Sequence, residues 1–293
     1  MNIYDMKIAV VGGDIRYIHL AQLLSEKGFE CAVYGFDTEL SDSFGAVRCG
    51  SADDAVLNAD CLILPMPCTR DGQHVSAPLC EEKIDLLCLA EKAQCPIFAG
   101  MIPSQVKAYC DKHKKKIFDY SQNESLALLN AIPTAEGAIQ AAMSNTDEML
   151  HGKKALITGY GRIGKVLAQK LYGIGVEVTV CARKKQSLSL AYAMNYDTVS
   201  MDHLEDSIGK YDIIFNTVPE RIMTPNVLEN VRKDALLIEL ASFPGGYDAS
   251  YASKLGLKAI SALALPGKYA PVSAARMLEE CITDMLREYY DEQ

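Results

Sequence analysis

The chain lacks the features that mark membrane, secreted and metal-binding proteins. No apolar run approaches the roughly 18 residues of a membrane helix, and no basic region precedes an apolar one at the N-terminus. The ten cysteines form no Cys-x-x-Cys pair, and most lie within apolar runs. We interpret them as reduced core residues rather than as a zinc site or a disulfide framework. The sequence therefore predicts a cytoplasmic protein without a membrane span or a metal site.

An excess of basic residues is also missing. The formal net charge is −9, which disfavours non-specific binding to nucleic acids or acidic membranes. The 293 residues suffice for two domains, and 49% apolar and 23% charged residues are ordinary for a globular protein. An anionic substrate remains compatible with this charge if a few local cations hold it.

The most informative stretch begins with an apolar run at residues 155–158. It is followed at once by Gly-Tyr-Gly-Arg-Ile-Gly, then by an apolar-periodic segment and a second strand at residues 176–180. Strand, glycine turn, helix and strand in this order predict a dinucleotide site. Gly159 allows the turn, Gly161 lets a pyrophosphate approach the helix N-terminus, and Gly164 allows close packing. The predicted cofactor contacts at this turn are Gly159, Gly161, Arg162, Ile163 and Gly164.

No carboxylate follows the second strand of this motif. An acidic residue about 20 positions past the glycines usually holds the ribose 2′-hydroxyl of NAD, whereas Arg suits a 2′-phosphate. Here residues 181–185 read Cys-Ala-Arg-Lys-Lys. Arg183 and Lys184 would pair with a phosphate dianion, so we predict NADP rather than NAD. The alternative is that these residues are only solvated loop charges.

The first half of the chain alternates strands and helices without that glycine spacing. A strand at 7–11 leads into Gly-Gly-Asp, and Asp14 would repel a pyrophosphate. Alternation predicts a parallel sheet, which we interpret as a Rossmann-like domain that does not hold the cofactor. Further strands are predicted at 31–34, 61–64, 97–99 and 117–118, with helices at 79–93 and 103–112.

Arg16 and Arg70 lie in loops that follow two of these strands. Ligands of parallel sheets bind beyond the carboxyl ends of the strands. Both arginines are therefore candidates for binding substrate carboxylates, and the alternative for each is an ordinary surface side chain.

Residues 121–150 have helical composition with one interruption at Pro133. Proline removes a backbone donor and disfavours helix at the preceding residue, so the helix should break or kink there. We interpret this segment as a hinge. Thr134 and Glu136 are then candidates for a cleft between domains, although an N-cap role for Thr134 is also open.

The second half continues the alternation, with strands predicted at 213–217, 236–240 and 258–260. The loop after the first of these should meet the nicotinamide end of the cofactor, through Thr217, Val218 and Pro219. The final segment has an apolar helical face and should pack back on the first domain. The predicted fold class is α/β, with two Rossmann-like domains joined by a long kinked helix. The predicted parts are 1–120 (substrate side), 121–150 (hinge), 151–270 (NADP-binding) and 271–293 (returning helix).

Five blocks of sequence together resemble the family of dipicolinate synthase A subunits. They lie at 12–16, 132–137, 159–164, 241–246 and 265–271. The resemblance spans nearly the whole chain, and only the glycine motif is shared widely among dehydrogenases. It implies oxidation of dihydrodipicolinate to dipicolinate with NADP, in the mother cell of a sporulating bacterium. It also implies an oligomer and, for a partner, the flavoprotein-like second (B-type) subunit.

That reaction needs hydride transfer to the nicotinamide, loss of a proton to a base, and partners for two carboxylates. The candidates for binding the two substrate carboxylates are Arg16, Arg70 and Lys268. Thr134 is a candidate for a further substrate contact. Glu136 is the candidate base, because a closed cleft would increase its basicity.

Two other functions are weighed against this one. A 2-hydroxy-acid dehydrogenase would use a histidine as acid and base in the second half, but no histidine follows His203. A non-catalytic, NADP-responsive binding partner stays open, because every residue assigned to the cleft is compatible with binding alone.

Overall fold

The structure is a computed structural model that describes residues 3–37 and 45–291. The chain forms two compact units. Unit 1 comprises Met1–Leu129 with Ala270–Gln293, and unit 2 comprises Asn130–Tyr269. Each unit contains one parallel sheet, which is the α/β architecture that the alternation of strands and helices predicts.

Unit 1 is built on six parallel strands in the order β3-β2-β1-β4-β5-β6. These are β1 (Lys7–Val11), β2 (Glu30–Tyr34), β3 (Val47–Arg48), β4 (Cys61–Ile63), β5 (Ile97–Ala99) and β6 (Ile117–Asp119). Its first helices are α1 (Ile15–Glu26), α2 (Ala52–Val56), α3 (Leu86–Lys92) and α4 (Ser104–Lys112).

Unit 2 repeats this strand order in a second parallel sheet, β12-β11-β10-β7-β8-β9. The helices are α5 (Glu124–Ser144), which begins in unit 1, α6 (Arg162–Gly173), α7 (Lys185–Ala193), α8 (Leu204–Ser207), α9 (Pro225–Glu229), α10 (Ala249–Lys254) and α11 (Leu265–Tyr269). The strands are β7 (Lys154–Thr158), β8 (Glu177–Ala182), β9 (Asp197–Ser200), β10 (Ile213–Asn216), β11 (Leu236–Glu239) and β12 (Lys258–Ser261). The last helix, α12 (Pro271–Asp291), belongs to unit 1 again.

Both sheets have the strand order of dinucleotide-binding folds, so the two predicted Rossmann-like domains are confirmed. Every residue of β4, β5, β10 and β11 is buried, as are all but the first residues of β1 and β7. Continuous apolar strands of this kind are typical of parallel sheets covered by helices on both faces. In unit 2 the strand order reverses between the central strands β7 and β10, and ligands of such sheets bind beyond the carboxyl ends of the strands at that point.

Helix α12 packs against α1, as its apolar face predicts. Leu278, Ile282 and Leu286 follow one another at a spacing of four residues and are fully buried in the core of unit 1. Beside them, buried Glu279 forms an ion pair with Lys27 at 2.8 Å. The C-terminal segment is therefore part of the core of unit 1.

The structure corrects the prediction of a break at Pro133, since α5 continues through it without interruption. Ala135 and Ala138, one turn further along, are completely buried in the core of unit 2. We attribute the continuous helix to this packing, which outweighs the loss of one backbone donor. The alternative N-cap role of Thr134 is also wrong, because its Oγ1 donates to the carbonyl of Asn130 at 2.7 Å inside the helix.

The predicted helix at 79–93 is too long, because α3 starts only at Leu86. Asp85 is the N-cap residue, and its carboxylate accepts from the N–H of Cys88 at 2.7 Å. Strands β3 and β9 were not predicted, since neither is an apolar run of useful length.

All ten cysteines are free, in agreement with the reduced state that the sequence predicts. Burial raises the pKa of the Cys31 thiol to about 11 and that of Cys181 to about 12. Both are therefore neutral thiols at physiological pH. Within residues 3–37 and 45–291, no His, Cys, Asp and Glu side chains cluster as a metal site would require. No helix in the same ranges is both long and apolar enough to span a bilayer.

Candidate functional site

The three glycines of the turn between β7 and α6 have different roles. Gly159 has φ +91°, and a Cβ there would lie 2.4 Å from Oγ1 of Thr217. A Cβ on Gly164 would lie 2.3 Å from the carbonyl oxygen of Gly159. A Cβ on Gly161, by contrast, would meet nothing within 4 Å. Two glycines thus allow the turn to form, while the third leaves its outer side open for a ligand.

The N-terminus of α6 is open to an anion. Gly161 is its N-cap and has no side chain to accept from the first N–H groups of the helix. Those groups and the helix dipole favour a negatively charged ligand, so a pyrophosphate fits this turn. Of the other predicted contacts here, Arg162 is exposed and Ile163 is half-buried against the core of unit 2.

The corresponding turn of unit 1 is closed by its own side chains. Asp14 is the N-cap of α1 and accepts from the N–H of Arg16 at 3.1 Å. The Arg16 guanidinium also pairs with both Asp14 oxygens, at 2.8 and 2.9 Å. A carboxylate thus already occupies the place of a bound phosphate, which supports assigning the dinucleotide to unit 2.

Arg183 and Lys184 follow the carboxyl end of β8, as predicted, and both are exposed. Arg183 is engaged in an ion pair with Glu220, whose two oxygens lie 3.1 and 3.4 Å from Nη1 and Nη2. Glu220 belongs to the loop predicted at 217–220, but its pairing with Arg183 was not predicted, because a carboxylate is expected only after the second strand. Glu220 directly follows the predicted cofactor contacts at 217–219, which is the signal that could have identified it.

The loop after β10 is held by buried polar side chains at the strand ends. Thr158 donates through Oγ1 to Oδ1 of Asn216 at 2.6 Å. The Asn216 amide donates in turn to Oε1 of Glu239 at 2.6 Å and to the carbonyl of Val218 at 2.9 Å. Thr217 donates to the carbonyl of Thr158 at 2.8 Å. These contacts place half-buried Thr217 and Val218 beside Gly159, and exposed Pro219 follows them.

The Glu239 side chain holds the loop that follows β11. Its carboxylate is buried and accepts from the N–H of Ala241 at 2.9 Å and that of Gly246 at 2.7 Å. A Cβ on Gly246 would lie 2.3 Å from the Asn216 amide nitrogen, so only glycine fits. Burial and then the Glu239 charge raise the pKa of Tyr247 to about 12. Sequence reasoning counted Asn216 and Glu239 as strand residues, although a polar side chain ending an apolar strand was a usable signal.

The candidate base and the other candidate substrate contacts of unit 2 lie on helices. Glu136 projects from α5, is 56% exposed, and forms an ion pair with Nζ of Lys170 at 2.9 Å. Thr134 is half-buried and bonded within α5, and Lys268 is exposed on α11. Glu136 is therefore exposed to solvent rather than buried.

In unit 1, only one of the two candidate arginines is free to reach a ligand from solvent. Arg16 is 7% exposed and, besides Asp14, its Nη2 donates to the carbonyl of Met66 at 3.2 Å. Arg70 is exposed in the loop after β4, with Nε 3.3 Å from Oγ of Ser76. Arg16 thus serves to hold the loop, whereas Arg70 is presented by it.

Two buried tyrosines fix the same loop. Met66 donates its N–H to the Tyr17 hydroxyl, the Tyr17 and Tyr120 hydroxyls lie 2.7 Å apart, and Tyr120 donates to the carbonyl of Leu64 at 2.7 Å. Burial raises the pKa of Tyr17 to about 12, so the chain of hydroxyl donors persists throughout the physiological pH range.

Two Rossmann-like units, one with an open glycine turn, define a dinucleotide-binding α/β protein, and the match of unit 2 to a dehydrogenase NAD binding domain places it among the oxidoreductases. Residues 126–242 match the family model of the D-isomer specific 2-hydroxyacid dehydrogenase NAD binding domain, and residues 7–121 match that of the N-terminal domain of the dipicolinate synthase A subunit. The chain is 32% identical over 292 residues to the dipicolinate synthase A subunit of Bacillus subtilis (strain 168), covering 98% of both. The chain belongs to the family of dipicolinate synthase A subunits.

Solved structures agree with this assignment. The crystal structure of the dipicolinate synthase A subunit from Bacillus halodurans matches with a TM-score of 0.88 and 29% identity, covering 96% of this chain and 97% of that one. The corresponding Bacillus subtilis structure matches with a TM-score of 0.86 and 32% identity, covering 98% of both.

Substituting the glycines separately should distinguish binding from folding. We expect Gly161→Ala to change the free energy of unfolding by less than about 1 kcal/mol while weakening dinucleotide binding at least about tenfold, since the new methyl group occupies the phosphate approach. Gly164→Ala should instead destabilise the protein by about 1–3 kcal/mol, through overlap with the backbone of Gly159. The chain has no tryptophan, so calorimetric titration and urea unfolding are the measurements of choice. Unchanged binding by folded Gly161→Ala protein would contradict the site.

Glu239→Gln should destabilise the protein by about 1–3 kcal/mol, because the new amide group leaves at least one buried N–H without an acceptor. Urea unfolding measures this loss. Glu177→Gln, an exposed residue at the start of β8, removes the same charge and serves as the control. Equal stabilities of the two variants would show that the carboxylate does not anchor the loop.

Proposed function

We propose that the chain oxidises dihydrodipicolinate to dipicolinate with NADP, in the role of the A subunit of a dipicolinate synthase. The observation that carries the proposal is the open glycine turn of α6 in a chain that matches a named dipicolinate synthase A subunit over 98% of its length. In the reaction a dihydropyridine dicarboxylate loses a hydride and a proton and becomes an aromatic pyridine. Bound NADP supplies the hydride acceptor.

The substrate carries two carboxylates, which call for cationic partners. We propose exposed Arg70, in the loop after β4, and exposed Lys268, on α11, as cationic partners of a carboxylate. Arg16 takes part by fixing the loop that carries Arg70, through its bond to the carbonyl of Met66. Thr134 is kept as a proposed substrate contact, although its hydroxyl donates to Asn130.

Glu136 is proposed as the proton acceptor. Its carboxylate is open to solvent and paired with Lys170, so proton transfer onward to water is direct. The gain of aromaticity in the product provides driving force, and the reaction therefore does not demand the strongly basic, buried carboxylate that a less favourable oxidation would need.

The preference for NADP over NAD rests on Arg183 and Lys184 at the end of β8. Both are exposed, and the guanidinium can present two parallel donors to a phosphate. Arg162, at the first turn of α6, adds a positive charge near the pyrophosphate.

The remaining parts of the proposal follow from the family. The name of the family implies a second, B-type subunit, which we propose to be flavoprotein-like, and an oligomeric assembly that works in the mother cell during sporulation. The 2-hydroxy-acid alternative receives less support, since the match to such enzymes covers the cofactor domain at 126–242 while 7–121 match the dipicolinate synthase domain.

The direct test is an assay of the purified chain with NADP and freshly generated dihydrodipicolinate, with and without a candidate for the second subunit. We expect NADPH and dipicolinate to accumulate in equal amounts, and Gly161→Ala to prevent this. NAD in place of NADP should give a lower kcat/KM. Absence of product both with and without the second subunit would favour the non-catalytic binding partner instead.

In the same assay, Glu136→Gln should lower kcat about a hundredfold or more while leaving the Kd for NADP unchanged, because only the proton acceptor is lost. Lys170→Met is the matched control, since it removes the ion pair but keeps the carboxylate. Unaltered turnover by Glu136→Gln would remove Glu136 from this role.

A further inference from the structure

An ion pair joins residues that follow the two strands on either side of β7, the strand that leads into the glycine turn. Arg183 follows β8 and Glu220 follows β10, and β7 lies between these two strands in the sheet. The guanidinium and the carboxylate meet in a two-pronged contact, with Nη1–Oε2 at 3.1 Å and Nη2–Oε1 at 3.4 Å. A dinucleotide that extends from the end of β8 towards β10 must therefore pass this pair.

The pair does little for the stability of unit 2. The Arg183 and Glu220 side chains are 65% and 59% exposed, and exposed ion pairs contribute little because solvent screens them. Such a contact opens readily when a stronger anion competes for the guanidinium. A phosphate dianion is such an anion, since it carries more charge and matches the same two donors.

The location identifies the competing anion. In a sheet of this order, the residues after the second strand contact the 2′ position of the adenosine ribose. In unit 2 that strand is β8, and Arg183 is the first residue after it. Glu220 therefore occupies the donors of Arg183 that a 2′-phosphate would take. Within residues 3–37 and 45–291, Lys184 has no such ion-pair partner and stays available to the same phosphate.

We propose that Glu220 sets the cofactor preference by competing with the 2′-phosphate of NADP for Arg183. When NADP binds, its phosphate replaces Glu220 on the guanidinium. When NAD binds, the ion pair stays closed. Glu220 thus reduces a preference for NADP that Arg183 and Lys184 would otherwise make larger. The inference rests on the proposed use of NADP and concerns the selectivity of that site.

Calorimetric titrations with NADP, NAD and adenosine 2′,5′-bisphosphate test this without relying on activity. We expect Glu220→Gln to bind NADP and the bisphosphate about three- to tenfold more tightly than the unaltered chain, with NAD affinity unchanged within about twofold. Arg183→Gln should weaken NADP binding and should cancel the gain when combined with Glu220→Gln. Glu177→Gln removes the same charge at the opposite end of β8 and should leave all three affinities unchanged.

The outcomes separate this inference from the cofactor assignment. NADP affinity equal in Glu220→Gln and the unaltered chain, with Arg183→Gln weakened, would overturn the competition while keeping the NADP site. Loss of NAD affinity in Glu220→Gln would also overturn it, because Glu220 would then be a ribose acceptor. Failure of the unaltered, folded chain to bind either dinucleotide would defeat the proposed function itself.

Discussion

The open N-terminus of α6 is the constraint on which the functional part of this molecule depends. A helix that starts at a glycine with no capping side chain keeps N–H donors that only a ligand or water can satisfy. The surrounding sequence makes this arrangement compatible with a tightly packed fold. Gly159 takes up a positive φ, and Gly164 lets α6 approach the preceding turn closely. The stability of the turn and its capacity to bind an anion thus reside in different glycines.

Comparison of the two sheets shows how little separates a binding turn from a structural one. Both have the same strand order and both pass from the first strand into a helix through glycines. In unit 1 the residue after the glycines is Asp14, and its carboxylate with Arg16 satisfies the start of α1 internally. One acidic side chain therefore converts a phosphate site into a closed cap that supports the loop after β4.

The buried side chains of Thr158, Asn216 and Glu239 have a comparable supporting role in unit 2. They lie at the carboxyl ends of three adjacent strands and are bonded to each other and to the backbone of the following loops. A buried carboxylate is costly unless its oxygens are paired, and here three N–H groups pair with it. The loops after β10 and β11 are thus held by the sheet itself. Exposed Phe243, in the loop anchored by Glu239, projects from this rigid base.

The sequence by itself determined the alternation of strands and helices, the dinucleotide turn and the family, because apolar runs and glycine spacing are local signals. The tertiary structure alone decided that α5 passes through Pro133, since the burial of Ala135 and Ala138 is a long-range effect. It alone also decided that Arg16 is a buried structural arginine, that Glu136 faces Lys170, and that Glu220 meets Arg183. The ion pairs of Arg16, Glu136 and Glu220 depend on the distances between charged side chains. The folded backbone sets those distances, and the spacing of the residues along the chain does not specify them.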